Sequence, residues 1–372
     1  MWIEFLNLEN YRNYNSLEVG FSPFLNFLIG ENASGKTNLL EALGYFVAFR
    51  SFRRINDQNL IQWNKNYFYL KIECWNSPFN LHQKNSYEVG VEFVNQSIKK
   101  KIKKNNKKIN KISEILGNVL GVFFTPEDLI YIDSITNRRS FFDFLFSTID
   151  FEYFTAYNEY QKCLKHRNEL LKRINLGKSK VKELDFWDNR LMSNAEIILQ
   201  KRMLYLKEYE EYFKNRISEI SKEKDKLNIQ IEIYEMAEYK KKFFDNRNKD
   251  IQTGTTNFGI HRDKISFLDN HFKDILLTFS QGQKRTTALS LKLAQYDFYK
   301  RIFNIKPILF VDDVIRELDQ YRRKYFLEIL LDCGQAFFTT PNFEDDMKIF
   351  KNIKDKECKI FKIINGSLEN EF

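Results

Sequence analysis

Residues 25–41, LNFLIGENASGKTNLLE, constrain the chain more than any other stretch. A mainly apolar run leads into Gly30-Glu31-Asn32-Ala33-Ser34-Gly35-Lys36-Thr37, which fits the phosphate-loop pattern G-x-x-x-x-G-K-[ST], and an amphipathic run of helix formers follows. Strand, loop and helix in that order are the context the pattern needs. Gly30 and Gly35 let backbone N–H groups converge on phosphate oxygens, and the helix N-terminus adds positive potential. Lys36 would reach the β- and γ-phosphates and the Thr37 hydroxyl would ligate the metal, so the pattern predicts ATP and Mg²⁺ as cofactors.

With 372 residues the chain can bury two cores, or one large core with an insertion. Hydrophobic residues at 43% and charged residues at 29% exclude a disordered chain. No apolar run approaches the roughly 18 residues that span a bilayer, and the N-terminus lacks the basic, apolar, small-residue order of a signal peptide. A cytoplasmic protein without a membrane partner is expected. Cys74, Cys163, Cys333 and Cys358 stand far apart with no C-x-x-C pair, which argues for isolated reduced thiols. The net charge of +9 favours a polyanionic partner.

Along the chain, residues 2–29 alternate as strands around a turn at Tyr11-Arg12-Asn13-Tyr14 and would form one sheet delivering the phosphate loop. Strand patterns recur at residues 67–74 and 87–93. Residues 99–111, KKKIKKNNKKINK, are the most basic stretch: a phosphate-backbone contact, or a solvated hairpin turning at Asn105-Asn106. Val122-Phe123-Phe124-Thr125-Pro126-Glu127-Asp128-Leu129 is a short strand stopped by its proline. Arg138-Arg139 open an aromatic-rich helix, and residues 141–226 keep a helical period interrupted only by Gly177, the pattern of a bundle-like lobe. Strand character returns at 227–233, and 246–259 reads as a polar link.

A second set of motifs follows. Ser280-Gln281-Gly282-Gln283 precedes a helical run; small residues at a helix N-terminus allow close approach to an anion, although Ser and Gly are equally ordinary caps. Then Pro307-Ile308-Leu309-Phe310-Val311-Asp312-Asp313 is a buried strand ending in two carboxylates. Asp312 would hold Mg²⁺ and Asp313 would act as general base on the attacking water. Arg316-Glu317-Leu318-Asp319 comes next, and the last strand, QAFFTT at 335–340, supplies a switch position. The lone His261, beside Arg262 and Asp263, has no second His or Cys nearby and reads as structural rather than metal-binding.

Phosphate loop, signature, acidic strand and D-loop, with Ser280 lying 250 residues after Gly30, resemble the SMC-type branch of the ABC ATPases. Tyr11-Arg12-Asn13-Tyr14, Ser51-Phe52-Arg53, His166-Arg167-Asn168, Phe186-Trp187-Asp188 and Gly259-Ile260-His261-Arg262-Asp263 carry the resemblance across nearly the whole chain. It implies an α/β, SMC-like P-loop ATPase head built from both chain ends (1–130 and 251–372) with an α-helical insert at 131–250. In this branch the signature meets the phosphate loop of a second chain, so ATP would close a homodimer on DNA and hydrolysis would open it. The resemblance further implies duplex DNA near gaps or junctions, RecR and RecO as partners, and a weak DNA-stimulated ATPase acting as a switch. By the same resemblance Arg12 would contact nucleotide phosphate and Glu127 would stand near the sensor of Mg²⁺ and water.

Several positions depart from that pattern. Ala33 replaces a loop glycine, Ile260 a proline, Lys264 an acid and Arg316 the D-loop serine, and Pro341 follows Thr339-Thr340. A transporter ATPase needs a signature roughly 100 residues after the loop, and a long-armed SMC fragment needs extended heptads; neither fits. A non-hydrolysing ATP-gated scaffold stays open because of Arg316.

Overall fold

The computed structural model describes residues 1–77, 80–232, 234–341 and 358–371. They form two compact units, 1–128 with 292–372, and 129–291. The second unit takes in residues 251–291, which the motif order groups with the C-terminal part of the head.

The first unit begins with strands β1 (Trp2–Tyr11) and β2 (Tyr14–Gly20), an antiparallel hairpin turning at Arg12-Asn13. Strand β3 (Leu25–Ile29) leads into the phosphate loop and helix α1 (Lys36–Ala48). Strands β4 (Tyr67–Ser77), β5 (Asn80–Val94), β6 (Ser97–Lys104) and β7 (Lys107–Ile109) join the hairpin in the order β2-β1-β4-β5-β6-β7. Only one face of this antiparallel sheet is covered: Phe68, Leu70 and Ile72 of β4 are buried, while Tyr67, Tyr69 and Lys71 take the other face. Asn105 and Asn106 close β6 and β7 with φ of 50° and 63°, as a tight hairpin turn requires. The pleat divides the lysines of the basic run. Lys100 points inward, donating to the Phe49 carbonyl and to Asp57 at 3.0 Å, and Lys104 donates to Asn118 at 3.2 Å. Lys99, Lys101 and Lys103 take the outer face. Strand β8 (Gly121–Phe124) ends this part of the unit.

The second unit is mostly helical: α2 (Ile130–Asp133), α3 (Ile135–Ile149), α4 (Phe151–Asn175), α5 (Leu184–Ser221), α6 (Met236–Asp245), α7 (Arg247–Thr253), α8 (Ile275–Thr278) and the start of α9 (Gln281–Phe303). Strands β9 (Asn228–Ile231) and β10 (Ile265–Leu268) pair antiparallel. The expected strand 227–233 is thus shorter, and Ile233 lies outside the described residues. Asp150 splits the expected continuous helical run, since its carboxylate accepts from the N–H groups of Glu152 and Tyr153 and starts α4. The expected polar link 246–259 contains α7 instead. Its reason is Asp250, fully buried on Arg167 at 2.8 Å, with Arg167 also held by Asp188 at 2.6 Å.

Back in the first unit, strands β11 (Ile308–Asp312), β12 (Ala336–Thr340), β13 (Cys358–Ile364) and β14 (Ser367–Glu371) flank helix α10 (Gln320–Asp332) and build the second sheet, order β14-β13-β3-β12-β11-β8. All its neighbours run parallel except β14. Residues 2–29 therefore do not share one sheet, contrary to expectation. The cause is patterning: β1 alternates and tolerates one solvated face, whereas β11 and β12 are buried throughout and need cover on both. Phe123, Phe310 and Phe337, in register across β8, β11 and β12, stack at 4.9 and 5.7 Å between ring centroids. Helix α1 is buried along almost its whole length, with Tyr45 against Phe68 of the first sheet and Gly44 against Phe123 of the second. Gln335, fully buried, ties the sheets together: it donates to the Ile3 and Ser22 carbonyls at 2.7 and 2.8 Å and accepts from Ile3 N–H at 2.7 Å.

Three arginines of the second unit, Arg138, Arg167 and Arg202, are essentially fully buried, each on carboxylates. His261 lies in the same unit. Its Nε2–H donates to the Thr256 carbonyl at 3.1 Å, which leaves Nδ1 to accept from Tyr160 at 2.8 Å. Burial pushes the imidazole down to about 4. The folded state thus favours the neutral ring, so His261 contributes its full stability above its unfolded value near 6.5 and loses it as pH falls toward 4. The stability advantage of wild type over His261→Gln, measured by urea unfolding, should shrink by about 2 kcal/mol between pH 7 and pH 5.

Candidate nucleotide-binding site

The phosphate loop leaves β3 at Gly30, whose N–H donates to the Thr340 carbonyl at 3.3 Å. Gly30 has φ 154°, and a Cβ there would stand 2.3 Å from the Ile363 carbonyl oxygen; Gly35 has φ 117°, with Asn13 at 2.6 Å from its would-be Cβ. Both glycines are required by backbone and space together. Ala33 also adopts a left-handed conformation, φ 64°, which strains an L-residue by about 1–2 kcal/mol. The Lys36 ammonium lies across the loop, donating to the Gly30 and Glu31 carbonyls, each at 2.8 Å. Burial lowers its pKa, while the charges of Asp313 and Asp312 pull it back up.

Parallel register sets Thr339 beside Asp312 and Thr340 beside Ile29, so three strands end at one edge. There Asp312 Oδ1 accepts from Thr37 at 2.9 Å and from Thr339 at 2.7 Å. Burial raises the Asp312 pKa against the lowering effect of those two hydroxyls. Thr339 Oγ1 also accepts from the Asp313 N–H at 3.0 Å, and Asp313 is left-handed at φ 50°. The phosphate loop and the acidic strand, 275 residues apart, meet in one hydrogen-bonded chain. Thr37 and Asp312 are hard oxygen donors of the kind Mg²⁺ shares with substrate phosphates.

The β1–β2 turn braces the loop from outside. Asn13 donates to the Ser34 carbonyl at 3.2 Å, Tyr14 to Gly35 at 3.0 Å, and Gly366 N–H to Ser34 at 2.8 Å. Arg12 grips the buried Glu41 of α1 through Nε at 3.0 Å and Nη2 at 3.3 Å, and Ser51 also donates to Glu41. Glu41 and Asn38, which donates to Asn13 at 2.8 Å, carry no motif signal. Glu41 betrays itself only as a carboxylate on the apolar side of an otherwise apolar helix. Glu127 is exposed in the turn after β8; its neighbour Asp128 is anchored by the Thr125 N–H at 2.9 Å and Lys292 at 3.3 Å. Val314–Glu317 forms a single 3₁₀ turn carrying the exposed Arg316, and Asp319 caps α10.

The signature residues belong to the second unit. Ser280 and Gln283 form a reciprocal cap at the start of α9: Ser280 N–H and Oγ donate to Gln283 Oε1 at 3.1 Å, and Gln283 N–H donates back to Oγ at 3.4 Å. Gln283 also donates to Asp225 at 2.9 Å. The cap leaves Ser280, Gln281 and Gly282 exposed.

The DNA replication and repair protein RecF of Leptospira interrogans serogroup Icterohaemorrhagiae serovar copenhageni (strain Fiocruz L1-130) is 37% identical over 373 residues, 99% of each chain. This chain belongs to the RecF family. A model of the RecF/RecN/SMC N terminal domain matches residues 2–348. RecF of Oceanobacillus iheyensis is 38% identical over 358 residues, covering 92% of this chain and 94% of its own. A solved structure of the recombination mediator protein RecF with ATPrS, in the RecFOR pathway, matches with TM-score 0.88 and 31% identity over 99% of this chain and 97% of that one. The Smc head domain of Pyrococcus furiosus, 17% identical with TM-score 0.56, shares the fold. The architecture is therefore that of an SMC-like ABC ATPase head with a helical insertion. Among the described residues no helix is long and apolar enough to cross a membrane. In this chain Ala33→Gly, which removes the left-handed strain, should raise unfolding stability by about 0.5–1 kcal/mol in urea titrations.

Proposed function

We propose that this chain is an ATP-dependent DNA-binding protein of recombinational repair and replication restart, a cytoplasmic weak ATPase that works as a switch. The observation that supports it most directly is the convergence of Thr37, Asp312 and Thr339 beside the Lys36 ammonium. The relatives named as DNA replication and repair proteins, and the RecF structures with ATPrS and with ATP, support the same reading. The loop N–H groups of residues 30–37 and the α1 N-terminus would cradle the phosphates, and Lys36 would exchange its loop carbonyls for phosphate oxygens. Thr37 and Asp312 would hold Mg²⁺, which neutralises charge on the phosphates. Asp313 would take the proton from the attacking water. Thr339, bonded to Asp312 and to the Asp313 backbone, positions both carboxylates.

Ser280, Gln281, Gly282 and Gln283 present the uncovered N-terminus of α9, suited to the nucleotide of a second chain. ATP would thereby close a homodimer on duplex DNA near a gap or junction, with Lys and Arg on backbone phosphates and no sequence readout. Release would follow hydrolysis. With RecR and RecO, the closed dimer would help load recombinase on single-stranded DNA. Arg12 and Glu127 stand as further candidate contacts, although Arg12 must loosen from Glu41 to reach a phosphate.

Lys36→Ala should weaken ATP binding roughly hundred-fold or more. Asp313→Asn should keep ATP affinity while phosphate release falls roughly 10²-fold or more. Light scattering should show a monomer that dimerises with ATP, more so with gapped duplex. Wild-type turnover in Asp313→Asn would refute the base assignment, and a mass indifferent to bound ATP would refute the dimer.

A further inference from the structure

Gln283, the third residue of α9, carries a side-chain amide that could face Ser280 by either end. A residue outside the helix decides which. Beyond the C-terminus of α5 the chain turns through Lys222 and Glu223 at φ of 56° and 60°, and the Ser221 hydroxyl oxygen accepts the Asp225 N–H at 3.0 Å. Two successive non-glycine residues in that conformation cost about 1–2 kcal/mol each. The turn they make delivers the Asp225 carboxylate to Gln283 Nε2 at 2.9 Å.

A carboxylate only accepts, so the nitrogen end of the Gln283 amide must face Asp225. Oε1 is thereby left toward Ser280, where it takes both the backbone N–H and the hydroxyl of Ser280 at 3.1 Å. The reverse orientation would set the amide N–H₂ against the Ser280 N–H, donor against donor, and push the serine off the helix terminus. Asp225 therefore fixes the place of Ser280 through one intervening side chain. When a phosphate oxygen arrives, only the hydroxyl has to move. A rotation about Cβ–Oγ sends its proton to the anion, while Oε1 keeps the Ser280 N–H and Oγ still faces the Gln283 N–H at 3.4 Å.

We propose that Asp225 is a positioning residue of the ATP reaction: by holding the Gln283 amide with its oxygen on Ser280, it keeps the signature ready for the γ-phosphate bound to a second chain. The inference rests on the proposed ATP-closed dimer and adds to it a residue that would touch neither nucleotide nor metal. No motif marks Asp225, which stands in the segment SKEKDK at residues 221–226.

The test follows ATP binding, mass and turnover of the full chain with Mg²⁺ and gapped duplex. Asp225→Ala should bind ATP as wild type does, because its phosphate loop is untouched. Its kcat should fall, and the ATP concentration at half-maximal dimerisation should rise, each roughly five-fold or more. Asp225→Asn keeps an oxygen for the amide N–H₂ and should retain most of the wild-type kcat. Mixing supplies the readout that a folding defect would not move. Lys36→Ala brings an intact signature and Asp225→Ala an intact phosphate loop, so half the dimers of an equal mixture hold one complete site. Turnover should rise above the sum of the two variants alone, to roughly a quarter of wild type. Wild-type kcat and dimerisation in Asp225→Ala, an equal loss in Asp225→Asn, or no gain on mixing would overturn the proposal. Each of these leaves the dimer standing; a wild-type mass indifferent to bound ATP would remove the dimer and the inference together.

Discussion

Asp312 is the junction on which the first unit turns. One carboxylate oxygen accepts from the phosphate-loop threonine and from the threonine at the end of β12, so loop, acidic strand and switch strand share a single acceptor. Each such hydrogen bond contributes only about 1 kcal/mol net, but an unsatisfied buried carboxylate would cost several times more. The burial that raises the pKa of Asp312 is what makes the two hydroxyls obligatory. The same geometry places two hard oxygens side by side at the C-terminal edge of a parallel sheet, the edge where α/β folds hold phosphates.

The sheet behind that junction is held by aromatic packing rather than polar ties. The stacked rings of Phe123, Phe310 and Phe337 fill one face, and Phe27 against Phe338 at 5.3 Å fills the other. Such pairs add about 0.5–1.5 kcal/mol each beyond their buried area. Gly121 shows how closely the layer is packed, since a Cβ there would stand 2.6 Å from Phe310 and 2.7 Å from Val47. Polar residues cross between the two sheets: Gln335, whose amide meets three backbone groups in a single orientation, and Lys359 of β13, which donates to the Gly20 carbonyl of β2 at 3.2 Å.

The second unit turns three arginines inward. Arg138 reaches Asp274 at 2.7 Å, Arg167 reaches Asp188 and Asp250, and Arg202 reaches Asp143 and Asp263 at 2.7 and 2.8 Å. Guanidinium forks suit this use because their planar donors satisfy two carboxylates at once. The burial of Asp263 raises its pKa against the pull of Arg202 and Arg139. These clusters set three guanidiniums against five carboxylates, so they take nothing from the positive excess that the rest of the chain offers to a polyanion. The Gly259-Ile260-His261-Arg262-Asp263 stretch is part of this framework, with His261 a neutral, doubly bonded core residue.

The sequence by itself determined what depends on neighbours within a few positions: the phosphate loop, the buried runs of β3, β11 and β12, the Asn105-Asn106 turn and the helical period from 141 onward. Ser280 was legible as a cap for the same reason, because Gln283 stands one turn away. Tertiary structure alone decided where separated segments meet. It moved β1 and β2 into a different sheet from β3, turned Lys100 inward and Lys101 outward, made Asp250 part of a helix, and set Asn13, Tyr14 and Glu41 as braces of the loop. The physical reason is that a pleat or a helical turn is fixed by local periodicity, whereas a hydrogen bond such as Thr37 to Asp312 exists only once packing has brought two distant segments to the same edge.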